Sequence, residues 1–190
     1  MRIVGGRLGG RALAGPKPGI GMIRPTSDRL RESLFNVLAH AYDHVVEGAR
    51  VLDLFAGTGA MGFESLSRGA SFALLVDDGT EARGLIRENQ TTLGLAGHSR
   101  VFRRDATKLG AIGPMERFGL VFCDPPYAKG LGEKALISAR DGGWLEPDAL
   151  IVLEEAAGVE IALPEGFEAR EQRAYGETQV MVLQVTSTVS

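Results

Sequence analysis

The chain has 190 residues, of which 44% are apolar and 24% charged, a globular balance that excludes disorder and a fibrous repeat. Its single cysteine, Cys123, excludes an internal disulfide framework and leans towards a reducing, cytoplasmic setting. No run of about eighteen apolar residues is present, and the start MRIVGGRLGG lacks the apolar core of a signal peptide. The net charge of −3 is unevenly spread: residues 1–31 carry seven basic side chains against Asp28, a sum of +6, which leaves −9 on the other residues. A basic, glycine-rich head on an acidic body suggests contact with a polyanion; a solvated arm is the plainer reading.

Residues 1–25 hold seven glycines and three prolines around Ile3-Val4, and read as a hairpin or a loose arm. Residues 26–190 read as one domain. Thr26, Ser27 and Asp28 offer capping oxygens to a helix with an apolar stripe at Leu30, Leu34, Val37, Leu38 and Ala41. From Arg50 strands and helices alternate. Strands are expected at 50–55, 72–76, 101–103, 120–123 and 149–153, with helices at 59–68, 81–93 and 133–139 between them. Two late segments, 168–174 and 179–185, look like a terminal strand pair. The alternation predicts an α/β, doubly wound, mostly parallel sheet.

The stretch VLDLFAGTGAMG follows a strand and opens a helix. Gly57, Gly59 and Gly62 match the dinucleotide-binding pattern, and Asp77 ends the next strand twenty residues after Gly57. Asp53 argues against a nicotinamide cofactor, because its carboxylate would repel a pyrophosphate at the helix start and attract an ammonium. The bland alternative is a tight strand-to-helix turn in some other α/β enzyme. Asp105 follows the third strand, where an ordinary helix cap would also place an acid.

Asp124-Pro125-Pro126-Tyr127 follows the apolar run Leu120–Cys123, 67 residues after Gly57. A strand end there puts Asp124 beside the glycine loop. The two prolines stiffen the turn and leave the Pro125 carbonyl available. A carboxylate and a carbonyl can each accept one N–H of an exocyclic amine, which localises its delocalised lone pair. The Tyr127 ring can stack on a base and hold it in line. Cys123 and Trp144 read as core residues. His40, His44 and His98 have no ligand spacing, so no metal is expected.

The D-x-F-x-G-x-G pattern of Asp53, Phe55, Gly57 and Gly59 resembles motif I of class I S-adenosylmethionine-dependent methyltransferases. D-P-P-Y resembles the [DN]-P-P-[YF] motif of those that methylate amines. The segments RIVGGRLGGRAL, RPTSDRLRESLFNVL, LDLFAGTGAMGFESLSRGA, DPPYAKG, GWLEPDALIVLEE and RAYGETQVMVL resemble, in order, the bacterial 16S ribosomal RNA guanine-N2 methyltransferases of the small subunit. The resemblance implies a Rossmann-like seven-stranded sheet, S-adenosylmethionine as cofactor, and N2-methylation of one guanine in assembled or assembling small subunits. It implies cofactor contacts from Asp53, Phe55, Ala56, Gly57, Thr58, Gly59, Asp77, Asp78, Asp105, Ala106 and Thr26. Asp77 would hold the ribose hydroxyls, Asp105 the adenine amino group, and Arg24-Pro25-Thr26 would close over the cofactor. Asp124, Pro125, Pro126 and Tyr127 would be catalytic. Arg2, Arg7, Arg11, Lys17, Arg24 and Lys129 would meet RNA phosphates. Gly79 departs from the family, which commonly has an acid there; Asp78 is the candidate substitute. A monomer is expected.

Alternatives stay open on chemistry alone. D-P-P-Y also suits adenine-N6 or glutamine-amide methylation. A nicotinamide oxidoreductase would leave Asp53 and D-P-P-Y unexplained, and a cofactor-free RNA-binding module would leave three acids without a purpose.

Overall fold

The structure, a computed structural model, describes residues 1–19, 21 and 23–186. In chain order the elements are α1 (Asp28–Ala41), β1 (Arg50–Leu54), α2 (Ala60–Ser67), β2 (Phe72–Val76), α3 (Thr80–Leu93) and β3 (Ser99–Phe102). There follow a 3-10 turn (Ala106–Lys108), β4 (Phe118–Cys123), α4 (Leu131–Asp141), β5 (Leu145–Ala156), β6 (Phe167–Tyr175) and β7 (Thr178–Val185). The strands form one sheet in the order β3-β2-β1-β4-β5-β7-β6. Strands β1 to β5 pair in parallel, and β7 runs antiparallel to both β5 and β6. The expected doubly wound, mostly parallel sheet of seven strands is what forms.

Helices cover both faces, so the central strands are apolar on both sides. Alternation along β1 sends Val51 to the layer shared with α1, α2 and α3, and Leu52 and Leu54 to the layer shared with α4. Asp53 has the parity of Val51 and therefore faces α2. The α4 layer is filled by Phe118, Leu136 and Trp144, whose ring is buried and donates Nε1–H to the Gly110 carbonyl at 2.8 Å. Cys123 is buried, as its apolar strand implied.

Most element ends shift by one to four residues from the sequence expectation, and two of the shifts have a visible cause. Strand β1 stops at Leu54, because Phe55 takes a left-handed φ of 58°. Strand β5 begins at Leu145 rather than 149, with a register irregularity between Phe118 and Leu120 of its neighbour that accommodates the extra residues.

The N-terminal residues form a hairpin, with an antiparallel bridge between Arg2 and Ala12 and an Ile3 N–H to Arg11 carbonyl bond of 2.9 Å. Ile3, Leu8 and Leu13 are buried in the α1–α2–α3 layer. Glu64 of α2, with no exposed surface, accepts from the backbone N–H groups of Val4 (2.9 Å) and Gly5 (2.8 Å). It also accepts from Arg31 (3.1 Å) and Arg68 (2.9 Å), so one carboxylate joins hairpin, α1 and α2.

Candidate active site

Chain order reverses between β1 and β4, since β2 and β3 lie on one side of that pair and β5 on the other. Ligands bind beyond the carboxyl ends of strands at such a point. Leu54 stands opposite Cys123, and the Asp124 N–H reaches the Leu54 carbonyl at 3.4 Å. The glycine loop and D-P-P-Y therefore emerge side by side into a cleft of about 1420 Å³. That exceeds the roughly 300–1,000 Å³ of a site for one small molecule.

The glycine loop turns through φ values of 58° at Phe55, 60° at Gly57 and 81° at Gly59 before α2 begins. A side chain on Gly59 would place Cβ 2.6 Å from the Phe63 ring. Asp77 orders this loop from β2: its Oδ2 accepts from the Gly57 N–H at 3.0 Å and its Oδ1 from the Gly79 N–H at 2.8 Å. Each oxygen keeps acceptor capacity towards the cleft. Ala56 and Thr58 line the same wall.

Asp53 accepts from the Gly62 N–H at 3.0 Å and is otherwise enclosed. Burial pushes its carboxyl well above the ordinary range; the Gly62 bond opposes that, and the charges of Asp124 and Asp77 add to it. Gly62 is where backbone meets sheet most closely, since an added Cβ would lie 2.3 Å from Leu75 Cδ2 and 3.4 Å from Asp53 Oδ2. Gly62→Ala should therefore cost about 1–3 kcal/mol through overpacking. At roughly 2–4 °C per kcal/mol for a chain of this size, thermal unfolding should fall by several degrees. An unchanged melting temperature would show that Leu75 repacks freely.

A strap leads from the hairpin across the cleft. Asn89 of α3 accepts from the Ala14 N–H (2.6 Å) and donates to the carbonyls of Ala14 (3.0 Å) and Thr58 (3.0 Å), clamping the strap to the glycine loop. Further on, Ile23 covers Gly57, where a Cβ would be 3.5 Å from Ile23 Cγ2. The Arg24 guanidinium sits 5.1 Å from the centre of the Tyr127 ring and 4.0 Å from Glu177. Thr26 donates its hydroxyl to Asp124 Oδ2 at 3.3 Å.

Asp124 is half-buried, and desolvation raises its carboxyl to about 6 against hydrogen bonds from Glu154 and Thr26 and the charge of Arg24. Pro125 and Pro126 line the cleft with it, and among the described residues no hydrogen bond occupies the Pro125 carbonyl. The Tyr127 hydroxyl bonds Thr178 Oγ1 at 2.9 Å, fixing the ring at the cleft mouth. Ala128 then turns at φ 59°, its N–H held by Glu155 Oε1 at 2.9 Å.

Asp105 caps the 3-10 turn, its Oδ1 accepting from the Thr107 N–H (2.8 Å) and hydroxyl (2.7 Å). Those bonds hold its carboxyl below the ordinary range. Asp105 and Ala106 do not line the main cleft. They line a side cavity of about 30 Å³ that shares Phe55, Asp77 and Asp78 with it.

The six basic candidates divide. All are exposed. Arg2 pairs with Asp28 (3.6 Å), Arg11 donates to the Thr92 carbonyl (2.9 Å) and Arg24 covers Tyr127. Arg7 sits beside Ser67, at the end of α2 remote from the glycine loop. Lys17 lies on the strap and Lys129 two residues beyond Tyr127. Sequence reading missed Asn89 and Glu154. A signal for Glu154 was present: it is the first acid after the apolar run Ala149–Leu153, in the stretch where a parallel sheet opens into its ligand crevice.

Among the described residues no group of acids, histidines and cysteines is arranged to hold a metal, and no helix is long and apolar enough to cross a membrane.

A sequence profile of the family described as Conserved hypothetical protein 95 matches residues 1–184. The chain is 41% identical over 164 residues to Ribosomal RNA small subunit methyltransferase D of Escherichia coli (strain K12), covering 86% of this chain and 78% of that protein. It is 34% identical over 178 residues to the protein of the same name from Haemophilus influenzae, covering 93% and 89%. The solved structure of Escherichia coli yhhF superposes with a TM-score of 0.82 at 33% identity, over 99% of each chain. A Thermus thermophilus protein, TTHA0928, superposes at 0.74 with 34% identity, over 97% of this chain and 99% of that one. With its glycine loop, its D-P-P-Y turn and this similarity along almost its whole length, the chain belongs to the Conserved hypothetical protein 95 family, among methyltransferases.

Proposed function

We propose that this protein transfers a methyl group from S-adenosylmethionine to the exocyclic N2 amine of a guanine in the 16S RNA of the small ribosomal subunit. The observation that carries the reading is the placement of Asp124 and Tyr127 across one cleft from the glycine loop. Similarity to small-subunit rRNA methyltransferases supports the substrate class.

The donor set fits the cofactor. Asp53, Asp77, Asp124 and Glu154 line one cleft in which, among the described residues, Arg24 and Arg29 are the cations. Such a cleft suits a ligand bearing an ammonium and a sulfonium and repels a pyrophosphate. Asp53 would face the ammonium through the glycine loop and Asp77 the ribose hydroxyls. Phe55, Asp78, Asp105 and Ala106 would border the adenine. When bound, S-adenosylmethionine supplies an electrophilic methyl group.

The chain's own residues present the amine to it. Asp124 and the Pro125 carbonyl each accept an N–H, which draws nitrogen towards tetrahedral geometry. Asp124 takes the proton that becomes acidic once nitrogen is alkylated. Tyr127 stacks on the base after Arg24 vacates or shares its face. A base must leave its stack to reach this turn, which is cheapest in an RNA loop.

Labelled S-adenosylmethionine supplied with unmodified small subunits, followed by nucleoside mass analysis, tests the proposal. Label in N2-methylguanosine is the expected result. Label in another nucleoside or in protein would overturn the guanine assignment, and no label on any of these would overturn the activity.

The RNA contacts are tested by charge reversal rather than truncation, because removing the hairpin would strip Ile3, Leu8 and Leu13 from the core. Lys17→Glu combined with Lys129→Glu should weaken RNA binding and flatten its salt dependence by about one to two units of log–log slope. Arg7→Glu, remote from the cleft, should do less. Equal effects from all three would place the RNA path along the hairpin instead.

A further inference from the structure

Glu154 is a buried carboxyl at the floor of the cleft with no lysine or arginine bound to it among the described residues. The register explains its position: Cys123 stands opposite Leu153, so the next residues on these parallel strands, Asp124 and Glu154, emerge together. Asp124 and Glu154 follow paired residues of neighbouring strands and both line the cleft. Two ionised carboxylates side by side repel, and a hydrogen bond between them needs a proton on one.

From the side-by-side emergence of Asp124 and Glu154 into one cleft and the burial of Glu154 without a cationic partner among the described residues, we propose that Glu154 is a positioning residue. Its protonated carboxyl donates to Asp124 and fixes that carboxylate, ionised, towards the target amine. The inference rests on the role proposed for Asp124.

Which partner holds the proton follows from their surroundings. Glu154 is the more deeply enclosed: burial raises its carboxyl well above the ordinary range, and Asp124 and Asp53 raise it further, with Arg24 opposing. Asp124 is the less enclosed of the two, though burial raises its carboxyl as well. Thr26 supplies it a second hydrogen bond, and Arg24 a positive charge, while Glu155 opposes ionisation. The next charged neighbour, Glu155, is engaged elsewhere, through Ala128 and its own strand at 2.9 and 2.7 Å. Around neutral pH the pair thus holds one proton, on Glu154. Thr26 and Glu154 fix Asp124 from two sides, which leaves the remaining lone pairs for the amine. The pair titrates as a unit, so its lower step is the one that switches Asp124 on.

The test compares Glu154→Gln, Glu154→Leu and Asp124→Ala on unmodified small subunits. Single-turnover methylation is read against pH, and S-adenosylmethionine affinity is measured by calorimetry. Gln keeps a neutral donor: its rate should stay within severalfold, and the acid limb should stay near 6, where the unaltered pair switches. Leu keeps the site dry but removes the donor: its rate at neutral pH should fall roughly tenfold to a hundredfold, the value of a hydrogen bond to a charged group. Its acid limb should move up, because ionised Asp124 has lost a stabilising bond. A merely structural Glu154 would lower rates without moving the limb. An acid limb identical in both Glu154 variants and the parent, or Gln behaving like Leu, would overturn the proposal. Should the Leu variant fail to fold, carbon-13 carboxyl titration of the parent decides: Asp124 ionising below Glu154 supports the pairing, and the reverse order refutes it. Near-normal methylation by Asp124→Ala would instead remove the proposed role of Asp124, a distinguishable failure.

Discussion

Asp124→Ala should abolish almost all methyl transfer while the protein stays folded and still binds S-adenosylmethionine. The side chain sits at the end of β4, outside the hydrophobic layers, and its loss leaves no packed cavity. On the proposed mechanism, what disappears is one of two acceptors that hold the amine nitrogen with its lone pair aimed into the cleft. Preorganised groups that act on charge developing in the transition state are worth about 10²–10³ in rate each. A fall of that order is expected in kcat, with cofactor affinity changed only severalfold, since Asp53 and Asp77 remain. Asp124→Asn keeps one acceptor oxygen and should fall in between. The two variants also report on pH. Asp124 accepts from the amine only when ionised, and burial raises its carboxyl to about 6. Activity should therefore be full above that value and be lost as pH falls through it. The Asn variant, with nothing to titrate there, should lose this acid limb. Near-parental turnover by Asp124→Ala would remove D-P-P-Y from the chemistry.

Glu64→Ala should be the most destabilising single substitution away from the cleft. Glu64 and Arg31 have no exposed surface, and the carboxylate accepts four donors: two hairpin N–H groups, Arg31 and Arg68. Burial already presses the Arg31 guanidinium below its ordinary value, opposed by Glu64 and then Asp28. Without Glu64 that cation stays buried with Asp28 and the Arg2 carbonyl as its remaining partners. Breaking a buried pair from one side costs about 3–5 kcal/mol, and the orphaned Val4 and Gly5 N–H groups add to it. Melting should drop by roughly 10 °C or more. The hairpin should become susceptible to proteolysis before the rest of the chain. A drop of only about 2 °C would mean that water replaces the carboxylate at little cost. The hairpin also leads into the strap that reaches Asn89, Thr58 and Thr26, so its loosening should weaken cofactor binding as well.

The glycine loop, Asp77 and D-P-P-Y were legible in the sequence because each is local. A left-handed turn demands glycine within a few residues of its strand, and an acid at a strand end is visible as the last residue of an apolar run. Strand alternation likewise told that the sheet would be parallel and buried on both faces, and Trp144 and Cys123 fell in the core accordingly. Glu154 was not legible as a partner of Asp124. Thirty residues separate them, and only the β4–β5 register, with its irregularity near Gly119, makes them neighbours. Nor could composition separate a docked hairpin from a loose arm, because the acceptor that decides it, Glu64, lies about sixty residues away.

By itself, then, the sequence determined the element order, the doubly wound class and the identity of the groups offered to a ligand, since these follow from periodicity and short-range backbone chemistry. Tertiary structure alone decided which basic residues border the cleft, that Arg24 covers Tyr127, and that Asp124 and Glu154 emerge side by side. Those outcomes depend on burial and on contacts between distant segments, and the energy of a charge is set by what surrounds it, not by what precedes it in the chain.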